Sequence, residues 1–235
     1  MKRIILTAAC AAALFSHAAM AGELTGASIG LDYNTLMNDD NGRLDKKTLS
    51  GSAEYGIDPN FSLQGDLAYA KVRSLEADGY EATVHGIYHA NDTASFGVFA
   101  GRSDSNELGL GLNYTGLEAG LEFGAFESDI YLASGTQNDM NATLLGLGTT
   151  YNASEAASVG LSYDRAEVVT LDASRVQLEG EYRIGQYALT AQVGHAKFED
   201  AYSDNYIGVG AKMTFGAKRG ATFDRRGILE AWPGL

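Results

Sequence analysis

Carboxylates at alternate positions are the side chains of this sequence best suited to chemistry. Because successive strand residues point to opposite faces of a sheet, same-parity side chains share one surface. A surface lined mostly by carboxylates attracts cations and repels anions. The pattern predicts either a water-filled, cation-preferring lumen or an interior in which acids pair with Arg, Lys and water. The residues of this parity are the acids Asp32, Glu54, Asp66, Glu81, Glu118, Glu122, Asp164, Glu179 and Glu181 and the bases Arg175, Arg183 and Lys212.

Two histidines share the same face. On a strand, His85 and His89 lie about 13 Å apart, which is too far for one metal ion, so both are expected to be ordinary polar residues. A hydrolase would need a serine beside a histidine. Ser50, Ser52 or Ser158 near His85 is the alternative left open, but no local motif supports it. The sequence therefore implies neither an enzyme nor a cofactor or metal.

The elements that position these residues follow from a period of two that runs through the chain. Twelve alternating runs occur between about residue 24 and residue 215. The chain has 235 residues, 29 Gly, 2 Pro and a net charge of −13. The acidic balance argues against a nucleic-acid partner. The predicted fold class is all-β, as a closed antiparallel transmembrane β-barrel of about 12 strands.

The first 21 residues have the composition of a cleaved signal peptide. Lys2 and Arg3 precede a short apolar stretch, and Ala19-Met20-Ala21 supplies small residues at the cleavage site. No later segment is apolar for long enough to form a transmembrane helix. A membrane location therefore requires a closed barrel, predicted for residues 22–215.

Aromatic residues decide which face of the strands points outward. On the apolar face they cluster near the predicted strand ends, as expected where a barrel meets both membrane interfaces. A soluble barrel would instead bury that face. The predicted aromatic girdle consists of Tyr55, Tyr88, Tyr114, Tyr151, Tyr182, Tyr187 and Phe215.

The predicted connections alternate between long loops and tight turns. One tight turn is placed at Gly116, between runs 107–115 and 117–127, and a long loop at 128–141. This loop region, from residue 127, and the acidic tip at 39–40 support an alternative role as a structural anchor or adhesin. Both are short for a dedicated binding surface.

These features resemble the porin-type outer-membrane β-barrels of Gram-negative bacteria. The resemblance covers residues 22–215 and includes a last run that ends at Met213-Thr214-Phe215. It implies a porin-like diffusion channel involved in ion transport, and the acidic inner face adds the prediction that its solutes are small and cationic or neutral. The resemblance also implies contact with outer-membrane lipid and lipopolysaccharide, and a terminal aromatic residue that the barrel assembly machinery reads.

Residues 216–235 extend beyond the usual end of such barrels. The motif Thr222-Phe223-Asp224-Arg225-Arg226-Gly227 resembles one in short alphaproteobacterial porins. The favoured prediction is a loose, basic periplasmic tail. The alternative is a tail that folds towards the lumen, places its arginines near Glu54, Glu179 or Glu181, and partly gates the pore.

Overall fold

The chain forms a closed antiparallel barrel of twelve strands in which the first strand pairs with the last. The computed structural model describes residues 22–37, 44–73, 75–105, 107, 109–137, 140–168, 171–198, 202–216 and 220–231. The predicted signal peptide and the acidic tip at 39–40 lie outside these residues. The fold class predicted from the alternation is confirmed.

The strands follow one another around the barrel in sequence order, and one short helix follows them. Their bounds are β1 (Glu23–Leu36), β2 (Asp45–Gly56), β3 (Phe61–Val72), β4 (Ala77–Asn91), β5 (Ala94–Ser105), β6 (Leu110–Phe123), β7 (Phe126–Gln137), β8 (Met140–Asn152), β9 (Ala157–Val168), β10 (Leu171–Ile184), β11 (Tyr187–Phe198), β12 (Tyr202–Phe215) and α1 (Ile228–Ala231). Among the described residues, no helix is long and apolar enough to cross a membrane.

The barrel has two rims, which we call the turn rim and the loop rim. The start of β1, the end of β12 and the connections 57–60, 92–93, 124–125, 153–156 and 185–186 lie at the turn rim. The opposite ends of the strands lie at the loop rim, among them the end of β1, the start of β2 and the start of β12.

The sequence prediction was wrong between β6 and β7. β6 continues through Gly116, and the turn lies at 124–125, where Gly124 has φ 61°. Residues 126–137, mostly predicted as a loop, form β7. One strand was predicted as two, and another strand was predicted as a loop, so the predicted number of strands is still twelve. β7 also removes the loop at 127–141 that supported an adhesin.

The outward surface of the barrel is an apolar belt. Outward Leu, Ile, Val, Phe and Tyr side chains are exposed on every strand from β1 to β12. Six predicted girdle residues lie on this face towards the turn rim: Tyr55, Tyr88, Tyr151, Tyr182, Tyr187 and Phe215. Tyr114 does not, because alternation runs unbroken through Gly116 and puts Tyr114 on the inner face with Glu118. Only 2% of Tyr114 is exposed.

The loop-rim half of the lumen contains many buried apolar side chains besides its polar ones, which the sequence prediction of a polar inner face did not anticipate. These side chains pack into one buried cluster, to which Ile228 and Leu229 also belong. We call its members towards the loop rim the apolar layer: Leu36, Leu44, Ala70, Val72, Leu110, Leu112, Ala133, Ala142, Leu144, Ala166, Ala173, Ala196, Phe198 and Tyr206.

Residues 220–231, which we call the C-terminal segment, lie inside the barrel. Their backbone and side chains hydrogen-bond to inward residues of β2, β3, β4, β5, β6, β7 and β10. The favoured prediction of a loose periplasmic tail is therefore wrong for these residues. The physical reason is that the acidic and hydroxyl-rich lumen offers partners for both the arginines and the backbone.

Candidate functional site

Strands β2 and β3 hold the start of the C-terminal segment by its backbone. The amide of Thr222 donates to Glu54 Oε2 at 2.6 Å. The Gln64 side chain pairs with Phe223 in both directions: the Phe223 amide donates to Gln64 Oε1 at 3.1 Å, and Gln64 Nε2 donates to the Phe223 carbonyl at 2.7 Å. The Gln64 side chain thus makes the two hydrogen bonds that the backbone of a neighbouring strand would otherwise make with Phe223.

Strands β4, β5 and β6 hold the middle of the segment. The Arg226 carbonyl accepts hydrogen bonds from Thr83 Oγ1 at 3.0 Å and from the Tyr114 hydroxyl at 2.5 Å. The Leu229 amide donates to Glu81 Oε2 at 3.1 Å, and the Ser103 hydroxyl donates to the same oxygen at 2.8 Å. These buried bonds satisfy backbone groups that would otherwise lack partners inside the lumen.

Two cations from the wall cap the end of α1. Lys46 Nζ donates to the Leu229 carbonyl at 2.6 Å, and Arg175 Nη1 donates to the Glu230 carbonyl at 2.8 Å. Free carbonyls at a helix end attract positive charge, so these contacts suit the end of α1. Arg175 is itself held by Asp164, at 2.7 and 3.1 Å.

The Arg226 side chain occupies what we call the guanidinium seat, formed by Glu118, Asp129 and Tyr131. Arg226 Nε donates to Glu118 Oε2 at 2.9 Å, and Nη2 donates to Asp129 Oδ2 at 3.1 Å. The guanidinium carbon lies 4.5 Å from the centroid of the Tyr131 ring. Only 4% of the Arg226 side chain is exposed. Although burial lowers the pKa of Arg226, Asp129 and Glu118 raise it above its ordinary value, so the side chain stays charged.

His85 links the seat to a third carboxylate. Its Nδ1 lies 2.6 Å from Glu118 Oε1 and its Nε2 lies 2.8 Å from Asp66 Oδ2, with the ring fully buried. Because both nitrogens face carboxylate oxygens, the geometry matches a doubly protonated ring. The hydrolase alternative based on His85 is unsupported, because carboxylates rather than serines occupy both ring nitrogens.

Phe223 anchors the segment beside His85. The two rings are stacked, with centroids 6.5 Å apart. Gly97 and Gly120 leave room for the phenyl ring: a Cβ on either would lie 2.9 or 3.2 Å from it. Small residues on β5 and β6 thus create the pocket for Phe223.

Arg225 points away from the seat and pairs with Glu230, at 2.5 Å. Burial raises the pKa of Glu230, but Arg225, Arg175 and Lys46 lower it by more, so the net pKa lies below its usual range. The charge of Glu230 is therefore retained inside the lumen, and the pair stabilises the fold of the segment around α1.

Beside the C-terminal segment, the lumen retains a polar cavity of about 260 Å³. This is room for on the order of nine water molecules. The cavity is bounded by the segment on one side and mainly by β1, β2 and β8–β12 on the other. Its lining includes six of the inward residues predicted from the sequence: Asp32, Asp164, Arg175, Glu179, Glu181 and Lys212.

The other predicted pore-lining residues lie elsewhere. Glu54, Asp66, Glu81 and Glu118 are buried. Their predicted position on open water is wrong in this conformation, because the segment covers them. Glu122 is exposed near the turn rim, and Arg183 pairs with Glu181 there; neither lines the cavity.

Sequence reasoning missed several residues that hold the segment. Asp129 and Tyr131 were assigned to a loop, although period-two alternation of Ile130, Leu132 and the residues between them could have revealed β7. Gln64 and Thr83 have the inward parity but were passed over because they carry no charge. The predicted partners of the arginines were also wrong, since Arg226 contacts Glu118 and Asp129 instead.

Comparison with known proteins bears on the fold. No protein-family model matches the chain, and no curated protein sequence matches it. Among solved structures, the KdgM porin has a TM-score of 0.59 and 13% identity, over 79% of this chain and 99% of that chain. The fold is that of the porin-type outer-membrane β-barrels.

Two other structures agree. The NanC porin has a TM-score of 0.61 and 7% identity, over 80% of this chain and 98% of that chain. The CymD monoaromatic hydrocarbon channel has a TM-score of 0.57 and 11% identity, over 83% of this chain and 90% of that chain. At such identities the similarity concerns the fold. With its apolar belt facing acyl chains, this barrel lies in the outer membrane.

Proposed function

We propose that this protein is an outer-membrane channel for small cationic or neutral solutes, and that the conformation described above is its closed form. The observation that carries the proposal is the polar cavity beside the C-terminal segment. A barrel interior with this lining offers hydrogen bonds that replace the hydration of a passing solute. The porin-type fold supports the same role.

Unpaired charge in the cavity supports the preference for cations. Among the described residues, Asp32, Glu179, Asp224 and Lys212 line the cavity and make no ion pair within 4.0 Å. Seven acids and five bases line the cavity in all, which leaves it negative. A negative lining lowers the energy of a cation and raises that of an anion.

The apolar layer and the C-terminal segment together close the path. An apolar constriction excludes water and blocks ions, so the layer acts as a barrier at the loop rim. Conduction therefore requires the side chains of the layer to separate as well as the segment to move.

Planar-bilayer recordings of the refolded protein in a KCl gradient test the proposal. We expect conductance steps with a reversal potential on the cation-selective side. Glu179→Gln should shift this potential towards zero, because it removes an unpaired carboxylate from the cavity. Glu167→Gln is the matched control: Glu167 is exposed on the outward parity of β9, so the variant should keep the native value.

Anion selectivity would overturn the solute preference. An absence of steps in the native protein and in Arg226→Gln, which loosens the segment, would overturn the channel itself.

A further inference from the structure

The guanidinium seat could bind the guanidinium group of a separate molecule as well as that of Arg226. We propose that Glu118, Asp129 and Tyr131 form a binding site for guanidinium-bearing solutes, and that Arg226 is its tethered occupant. The inference rests on the proposed function, since it narrows the cationic solutes to one chemical class.

The shape of the seat fits a planar cation. Glu118 and Asp129 accept from two different nitrogens of the guanidinium, at 2.9 and 3.1 Å, and the Tyr131 ring lies against its face. Carboxylates in the plane and an aromatic ring below it match the fork and the flat face of a guanidinium. An alkylammonium could pair with the carboxylates but has no flat face to stack.

The charge around the seat also calls for a cation. Glu118 and Asp129 belong to the seat, and Asp66 lies across the His85 ring from Glu118. A doubly protonated His85 would offset one of these three carboxylates. Without Arg226, two negative charges would remain uncompensated in a largely buried site. Buried charges of this kind require a partner.

A solute in the cavity can reach the seat. Asp129, Tyr131 and Arg226 all line the cavity, so no barrel strand has to separate for an exchange of occupants. Asp129 is only partly covered, with 29% of its side chain exposed. A solute can therefore approach the seat from the cavity, on the side that faces away from the barrel wall.

Glycines mark the junction between the barrel and the C-terminal segment. Gly216 precedes the segment and Gly220 begins it, with φ of 90° and 129°, which L residues rarely adopt. Gly26 lets the carbonyl of Gly220 pass directly over β1, where a Cβ would collide with it. The covalent link keeps the local concentration of Arg226 high, which makes it the default occupant.

Isothermal titration calorimetry on the refolded full chain in detergent tests the site with ethylguanidinium as the probe. Arg226→Gln vacates the seat and keeps a polar side chain. We expect saturable binding to this variant with at least tenfold higher affinity than to the native protein. Arg102→Gln is the matched control and should behave like the native protein, because Arg102 pairs with Asp104 on the outward face of β5.

Two further comparisons test whether the binding depends on Glu118 and on the planar shape of the probe. Glu118→Gln combined with Arg226→Gln should weaken the binding of ethylguanidinium at least tenfold relative to Arg226→Gln alone. Ethylammonium should bind Arg226→Gln at least fivefold more weakly than ethylguanidinium does. Equal affinity of the native protein and Arg226→Gln, or of the two probes, would overturn the proposal.

Folding is checked by the heat-dependent gel mobility of the barrel. If Arg226→Gln does not fold, Arg226→Lys replaces it, because lysine keeps the positive charge but has no planar group to lie against Tyr131. If Arg226→Lys then binds ethylguanidinium no more tightly than the native protein does, the site is rejected. Calorimetry does not depend on conduction. A chain that binds the probe without conducting would reject the channel alone, and a conducting chain without binding would reject the seat alone.

Discussion

At the scale of single residues, pairs of an aromatic side chain and a glycine let large rings fit into the lumen. Four inward rings each lie over a glycine directly opposite on the neighbouring strand, where a side chain would collide with the ring. A Cβ on Gly146, for example, would lie 2.6 Å from Cζ of Tyr131. The pairs are Phe99 with Gly116, Tyr114 with Gly101, Tyr131 with Gly146 and Tyr206 with Gly194.

Removing one buried hydroxyl tests the contact between such a ring and the C-terminal segment. Tyr114→Phe should lower the free energy of unfolding by about 1 kcal/mol, because the hydroxyl donates to the Arg226 carbonyl. Thr83 still donates to that carbonyl, which limits the loss. Urea unfolding of the refolded protein measures the change. Tyr88→Phe, on the outward face, is the control and should be neutral; equal effects would contradict an inward Tyr114.

At the scale of elements, the course of β6 shows why alternation did not place every boundary. Glycine marks turns in many sequences, so Gly116 between two alternating runs predicted one. In the barrel it instead makes room for the Phe99 ring, a requirement set by the partner strand. The sequence of one strand does not reveal what lies opposite it.

A Cβ at Gly116 should therefore be costly. We expect Gly116→Ala to lower the free energy of unfolding by about 1–3 kcal/mol, because the new methyl group would lie 2.6 Å from the Leu132 carbonyl and against Phe99. Gly65→Ala, on β3, has no atom within 4 Å of its Cβ and should be neutral or stabilising by up to about 1 kcal/mol. Equal values in urea unfolding would argue that Gly116 lies in an open turn.

At the scale of the whole molecule, the orientation of the faces governs stability in lipid. Leu161 faces outward in the middle of β9, with 51% of its surface exposed, whereas its neighbour Ser162 lines the cavity. Leu161→Arg should cost about 2–4 kcal/mol in vesicles, since it places a charge near the midplane. Ser162→Arg should cost less, because its guanidinium reaches water and lumenal acids. Unfolding in phospholipid vesicles measures both, and the reverse order would show that the faces are exchanged.

The sequence by itself determined the barrel, its strand number, the outward apolar belt and the acidic inner face. These follow from local alternation, which is fixed by the pleat of each strand. Only the tertiary structure decided where β6 and β7 meet, that the inner face turns apolar at the loop rim, and that Arg226 lies between Glu118 and Asp129. Those features depend on register across strands and on contacts between residues 97 and 108 positions apart, which no local pattern encodes.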